Sequence, residues 1–211
     1  AFTLDQEDHI ELWLADIATA SAKRLIQSNM NAIFGSPYSW MSDSLRLLVK
    51  AVPDSREPAP QEPVVPLGPV IQESTGRPAA ARTYQDLMVN GYDEDLFEHY
   101  GQVQLLMVDV SGFVQELGTP DLIRRAVPSP GADHLLVETV QRPFSYLVPQ
   151  YRFPHRLEVW DSSGDLLKEI ASLPLAEEVP IGRGAVPTGP RSMNWRADAP
   201  ATLFWVEARD G

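Results

Sequence analysis

The chain repeats one pattern three times: a short apolar strand ends in an aspartate and a turn of small residues. The three copies occupy residues 12–16, 105–109 and 157–161. A second strand follows each copy, after another turn that contains aspartate, at residues 40–43, 129–133 and 195–198. Repeats of this kind indicate stacked units that share a core with their neighbours. We therefore predict an all-β fold, a partial β-propeller of about three antiparallel blades.

The turn chemistry favours strands over helices. In the segment 161–165, Gly164 can adopt a positive φ angle without steric cost, as a tight hairpin between twisted strands requires. The runs that follow the second turns, residues 45–49, 135–140 and 202–206, are nearly continuous in apolar character. Continuous apolar runs predict strands that are buried on both faces, as the inner strands of propeller blades are.

The predicted organisation treats residues 1–211 as a fragment of a β-propeller domain, because closed propellers have about four to eight blades. Blade-like units are expected at residues 1–52, 101–142 and 155–211, separated by an insertion at residues 53–100. An unclosed propeller exposes blade edges, and unpaired edges favour self-association.

The predicted insertion begins with a proline-rich segment. Residues 53–78 contain seven prolines, which remove backbone donors and prevent a sheet from continuing. Beyond them, Thr83 can cap a short helix at residues 84–88, and Asp93 can cap a second helix. The apolar face of this helical pair predicts either packing against a blade edge or a lid over the mouth of the propeller.

Composition limits the classes of function. A net charge of −12 repels phosphate backbones, so nucleic acid is not an expected partner. The absence of cysteine excludes disulfides, thiolate metal sites and a cysteine nucleophile. No apolar stretch approaches the roughly 20 residues of a membrane-spanning helix, so no membrane association is expected. Composition leaves the compartment open, and any targeting segment is expected upstream of residue 1.

The sequence contains no complete catalytic motif. A Gly-x-Ser-x-Gly turn, a His-Glu-x-x-His motif, a phosphate-binding loop and a dinucleotide-binding glycine pattern are all missing. The four histidines are scattered, and His155 is expected in a loop rather than as a base or a ligand. We therefore predict no catalytic residue, no metal ligand and no cofactor within these residues.

The segment 141–156 carries the densest group of binding side chains, with three arginines and four aromatic residues. Guanidinium groups bind carboxylates through two parallel hydrogen bonds, and aromatic rings add apolar contact area. The segment is therefore a candidate binding strip. The alternative is that its aromatic residues cover the propeller and its arginines pair with the carboxylates of this acidic chain.

Five short motifs in a fixed order resemble the propeller of glutamyl endopeptidases in the prolyl oligopeptidase family. The motifs occupy residues 142–146, 157–161, 173–176, 187–191 and 195–203, with further similarity over residues 38–53 and 81–100. The resemblance implies a serine peptidase whose catalytic residues lie in an α/β-hydrolase domain, C-terminal to the propeller. None of that domain lies within residues 1–211.

The resemblance implies that this portion controls the access of peptide substrates. A peptidase that cleaves after Glu needs a cation for the side-chain carboxylate, and arginine suits that task. The candidate substrate-binding residues are Arg142, Tyr146, Arg152, Arg156 and Arg191. The implied partners are a peptide substrate, the missing propeller blades and the hydrolase domain. The expected compartment is the periplasm or the exterior for a bacterial protein and the plastid for a plant protein.

Two other classes of function remain open. The first is a non-enzymatic β-propeller that binds protein partners at its mouth, and the second is a carbohydrate-binding or carbohydrate-cleaving propeller. A downstream Gly-x-Ser-x-Gly turn would favour the peptidase, whereas further blades alone would favour the interaction module. No pair of carboxylates lies in an aromatic setting typical of a glycosidase acid and nucleophile, which disfavours the carbohydrate enzyme.

Overall fold

The computed structural model describes residues 1–64, 84–180 and 185–208. Within these residues, thirteen strands form four antiparallel sheets, none of which closes on itself. The first sheet comprises β1 (Phe2–Asp5), β2 (Ile10–Asp16) and β3 (Ser21–Arg24). The second comprises β4 (Tyr38–Trp40), β5 (Arg46–Ala51), β6 (Val103–Asp109) and β7 (Val114–Asp121).

The third sheet is a four-stranded meander, and the fourth is a two-stranded hairpin. The third comprises β8 (Ile123–Pro128), β9 (His134–Val140), β10 (His155–Asp161) and β11 (Leu166–Leu173). The fourth comprises β12 (Arg191–Trp195) and β13 (Leu203–Val206). The prediction of an all-β, propeller-like fold built from antiparallel sheets is confirmed.

Aspartate side chains close the hairpins, as the repeat indicates. Asp109 Oδ1 accepts backbone N–H bonds from Ser111, Gly112 and Phe113 at 2.8, 2.9 and 3.0 Å. Asp161 Oδ1 accepts from Ser163 at 2.8 Å in the equivalent turn of the third sheet. Such bonds to the following backbone are why aspartate recurs at these positions.

The boundaries of the sheets do not coincide with those of the predicted blade-like units. The Asp16 turn joins β2 to β3 in the first sheet, whereas the Asp43 turn joins β4 to β5 in the second. Residues 1–52, 101–142 and 155–211 therefore each combine strands of two successive sheets. The predicted units differ from the sheets because β5 pairs with β6 across the whole insertion, and the local sequence pattern does not indicate that pairing.

Neighbouring sheets pack face to face through alternate residues of their central strands. Leu135 and Val137 of β9 lie in the core shared with the second sheet, whereas Leu136 lies in the core shared with the fourth. Burial on both faces is thus confirmed for residues 135–140. It is wrong for residues 202–206, because β13 is an edge strand with both faces partly exposed.

One predicted helix forms and the other does not. Helix α1 spans Gly91–Gly101, and its N-cap is Asn90 rather than Asp93, because Asn90 Oδ1 accepts the Asp93 N–H at 3.0 Å. Residues 84–89 contain no helix, since Asp86 has a φ angle of +57° that a right-handed helix excludes. Thr83 and the proline-rich residues 65–78 lie outside the described residues.

Helix α1 packs through Phe97 on an aromatic cluster at one end of the third sheet. The Phe97 ring lies 5.0 Å from that of Phe144 and 5.9 Å from that of Phe153, both in edge-to-face geometry. In the described part of the chain, no helix is both long and apolar enough to span a bilayer.

Candidate functional site

A cavity of about 680 Å³ lies at one end of the third sheet, beside the beginning of the fourth. The volume falls in the range of pockets that hold small molecules or peptide side chains. Strands β8, β9 and β10 supply Arg124, Arg125, Glu138 and His155 to its lining, and the segment that leads into β12 supplies further lining residues. We call it the arginine cavity, after Arg124, Arg125, Arg152 and Arg191, which line it.

The rest of the lining is largely apolar. Leu157, Leu173 and Met193 belong to the core between the third and fourth sheets. Phe153 lines the cavity from the other side and stacks on Phe144 with ring centroids 5.4 Å apart. Phe153 also contacts Phe97, so helix α1 packs behind this lining residue of the cavity.

Three polar residues on neighbouring strands form the floor of the cavity. Arg124 Nη1 donates to Glu138 Oε1 at 2.7 Å and lies 3.3 Å from His155 Nε2. An Nε2 atom that accepts from a guanidinium carries no proton, so the imidazole is neutral in this arrangement. Burial lowers the pKa of His155, and Glu138 opposes that shift while Arg124 reinforces it.

The lowered pKa of His155 predicts a loss of stability in mild acid. The unfolded chain takes up a proton near pH 6.5, whereas the folded chain resists it until a lower pH. The contribution of neutral His155 to the free energy of unfolding is fully present above pH 6.5. It is lost as the pH drops through the folded-state pKa, by at most about 1.4 kcal/mol per pH unit for one proton.

Denaturant-induced unfolding at several pH values between 5 and 7.5 would measure how the free energy of unfolding depends on pH. We expect His155→Gln to have a flatter stability profile than the unchanged chain over this window. The matched variant His9→Gln should not flatten the profile, because Asp8 raises the pKa of His9 and its protonation stabilises the fold. Identical profiles for His155→Gln and the unchanged chain would contradict the expectation.

The arginine cavity is cationic, although the chain as a whole is strongly acidic. Its described lining residues include four arginines and one glutamate, and among these arginines only Arg124 is paired with that glutamate. Arg125 donates to Met193 O at 2.9 Å and also to Asn194 Oδ1, and both acceptors are neutral. Arg152 Nη1 donates to the carbonyls of Ala176 and Val179. The surplus of positive charge suits an anionic ligand.

The five sequence-predicted binding residues divide into two groups. Arg152 and Arg191 both line the arginine cavity, so the structure brings these two together. Arg142, Tyr146 and Arg156 line other surfaces and bind carboxylates of the chain itself. That internal pairing is the alternative that composition suggested for the strip.

Arg142 and Tyr146 hold helix α1. The Arg142 guanidinium binds Glu94 and donates to Glu98 Oε1 at 2.7 Å, and these bonds raise its pKa. Tyr146 donates its hydroxyl proton to Glu94 Oε1 at 2.6 Å, which raises the pKa of the phenol to about 12. Arg156 instead lies 2.8 Å from Glu158 Oε1.

Sequence reasoning missed Arg124 and Arg125 and placed His155 in a loop. His155 is the first residue of β10 and is only 4% exposed. The register of β8 against β9 shifts by one residue between Ile123 and Arg125, and such a bulge re-aims side chains. Both arginines therefore line one cavity instead of alternating between two faces. Their signal in the sequence was two adjacent charges inside an apolar strand.

No metal site emerges from the parts of the chain that the structure describes. Among these residues, no group of three or more His, Asp or Glu side chains could hold a metal ion.

Comparison with known proteins identifies the relatives of the chain. No family model matches it. It is 41% identical over 216 residues to "Probable glutamyl endopeptidase, chloroplastic" of Oryza sativa subsp. japonica, covering 99% of this chain. Nearly the whole chain is therefore similar to a part of a glutamyl endopeptidase. The protein of the same name from Arabidopsis thaliana is 42% identical over 204 residues, or 95% of this chain. The recognition from the five motifs is confirmed.

The chain matches only a part of each relative. It spans 23% of the rice protein and 21% of the Arabidopsis protein. It also resembles acylaminoacyl peptidase of Pyrococcus horikoshii in its orthorhombic crystal form, with 17% identity and a TM-score of 0.45 over 82% of this chain and 23% of that one. The uncomplexed form of that enzyme gives a TM-score of 0.41, at 17% identity, over 78% and 22%. TM-scores of this size do not establish a shared fold.

Proposed function

We propose that the chain forms about three blades of a propeller. This propeller controls the entry of substrate in a serine peptidase of the glutamyl endopeptidase type. In this proposal, cleavage after Glu requires a hydrolase domain that lies outside residues 1–211. The observation that carries the proposal is the 41% identity to a glutamyl endopeptidase over 99% of the chain.

The arginine cavity supports the choice of substrate. A peptidase that prefers Glu must offset the negative charge of that side chain at a site that excludes water. Arg152 and Arg191 lie in such a concave, partly apolar site, and Arg125 lies beside them. Helix α1 contacts the lining residue Phe153 through the ring of Phe97, so in this proposal a shift of the helix would change the shape of the cavity.

The proposed partners follow from the open sheets and the partial match. Strand β13 exposes Phe204, Trp205 and Val206, which further blades would cover. Until they are covered, these residues favour self-association through the edge of the fourth sheet. We propose the plastid as the compartment for a plant protein and the periplasm or the exterior for a bacterial one.

The test is an assay of the complete protein on peptides that differ at one position. We expect cleavage after Glu to exceed cleavage after Gln by about 10- to 100-fold, because a hydrogen bond to a charged group contributes about 1.5–3 kcal/mol. A serine-reactive inhibitor should abolish the cleavage. Peptides with Ala or Lys at the same position serve as controls for size and charge.

The same assay tests the second candidate, a propeller that binds protein partners without cleaving them. The exposed aromatic strand β13 favours this candidate, since aromatic side chains are enriched in protein interfaces. Absence of inhibitor-sensitive cleavage on any of the four peptides would reject the peptidase and leave the interaction module.

A further inference from the structure

We propose that the arginine cavity is a binding site for a carboxylate group of a peptide, with Arg191 as the residue that contacts it. The inference rests on the proposed function, because the ligand it names is the substrate class of the proposed peptidase. It selects Arg191 among the arginines of the cavity as the contacting residue and admits a free C-terminus as a second source of the carboxylate.

The first argument is the unbalanced charge of the cavity. Arg125, Arg152 and Arg191 share one concave surface, and the only carboxylate among the described lining residues, Glu138, is already paired with Arg124. Like charges held close together in a site of reduced dielectric repel one another. A chain with 29 acidic residues could have placed one here to relieve that repulsion. An anionic ligand relieves it instead.

The second argument is the unused hydrogen-bonding capacity of Arg191. Its Nη1 atom is buried, and among the described residues it has no hydrogen-bond partner. Leaving a buried donor without a partner is unfavourable, and more so when the donor is charged. Arg125 and Arg152, by contrast, are held by backbone carbonyls and one amide oxygen. The geometry therefore fixes two arginines in place and leaves Nη1 of the third without a partner among the described residues.

The third argument concerns the size and polarity of the ligand. Leu157, Leu173 and Met193 give the cavity apolar walls, which a small inorganic anion would not contact. A volume of about 680 Å³ exceeds the needs of one carboxylate group and accommodates the neighbouring groups of a peptide. Two sources of peptide carboxylate share this chemistry, namely a Glu side chain and a free C-terminus.

Binding, measured separately from cleavage, tests the inference. The complete protein is first treated with a serine-reactive inhibitor, so that titration calorimetry reports the affinity alone. Four hexapeptides combine Glu or Gln at one internal position with a free or an amidated C-terminus. We expect the amidated Glu peptide to bind about 10- to 100-fold more tightly than the amidated Gln peptide if the side chain is the source. A gain on freeing the C-terminus would identify the terminal carboxylate instead.

The variant Arg191→Gln should lose this preference, whichever carboxylate provides it. Arg191→Lys keeps the charge without the planar fork, and it should retain part of the preference. The matched control is Arg196→Gln, which removes the same charge from the turn after β12, where the described partner of the side chain is Asp198. Circular dichroism would check that each variant is folded.

The outcomes separate this inference from the proposed function. If Arg191→Gln and Arg191→Lys bind the carboxylate peptides as the unchanged protein does, the inference is overturned, even when cleavage after Glu is observed. If the preference disappears in Arg191→Gln but the uninhibited protein cleaves nothing, the site stands and the peptidase is rejected. Equal affinity of the unchanged protein for all four peptides also overturns the inference.

Discussion

Replacing Gly164 with alanine is expected to lower the free energy of unfolding by about 2–5 kcal/mol. Gly164 has a φ angle of +90°, where an L-residue is strained by about 1–2 kcal/mol. A Cβ atom there would also clash with Gly118 N and lie 2.6 Å from Leu117 Cα, and both atoms belong to β7 of the neighbouring sheet. Backbone atoms cannot move aside as a flexible side chain can, so overpacking adds about 1–3 kcal/mol.

Gly35→Ala is the matched control for this prediction. Gly35 has nearly the same φ angle, +88°, but no atom lies within 4 Å of the position that its new methyl group would occupy, so only the backbone strain applies. Urea denaturation of the two variants should therefore give a larger loss for Gly164→Ala by about 1–3 kcal/mol. Equal losses in the two variants would show that the second and third sheets do not approach as closely as described.

Phe153→Ala is expected to destabilise the chain by about 3–5 kcal/mol, as the truncation of a buried phenylalanine does elsewhere. The side chain is buried, and its ring contacts those of Phe97 and Phe144. Its loss would leave a void between helix α1 and the third sheet. Urea denaturation measures the effect, and the same void should open the wall of the arginine cavity.

Tyr151→Ala is the matched control for Phe153→Ala. Tyr151 lies in the short 3-10 turn Gln150–Arg152 and also lines the arginine cavity, but it is half exposed. We expect its truncation to change stability by less than about 1 kcal/mol. A double-mutant cycle with Phe97→Ala would then isolate the ring contact, since residues in contact couple by about 0.5–3 kcal/mol. Additive losses at positions 97 and 153 would contradict the packing described for helix α1.

The local features of the fold could be predicted from the sequence, because short-range chemistry determines them. Asp109 and Asp161 cap their turns through bonds to the next few backbone N–H groups, and Gly164 adopts the positive φ angle expected of it. These interactions span five residues or fewer. The assignment of turns to sheets could not be predicted in the same way, because the pairing of β5 with β6 joins residues 53 to 63 positions apart.

The candidate site was less predictable than the fold. Chemistry alone selected arginines, and it could not distinguish Arg191, whose Nη1 has no partner among the described residues, from Arg142, which binds Glu94 and Glu98. Telling them apart requires knowledge of where helix α1 docks. Arg124 and Arg125 were missed for another reason: a one-residue bulge in β8 turns both toward the cavity, and strand periodicity assigns them to opposite faces.

The placement of helix α1 has a consequence for how chains with these sheets can diversify. In the sequence, the helix belongs to the connection from β5 to β6. These strands are neighbours in one sheet, so the two ends of the connection are held about one strand spacing apart. The entropic cost of closing a loop rises by only about 0.6 kcal/mol for each doubling of its length. Evolution can therefore lengthen, shorten or replace this connection without altering a strand. Under the proposed function, such changes would alter which peptides are admitted while the sheets stay unchanged.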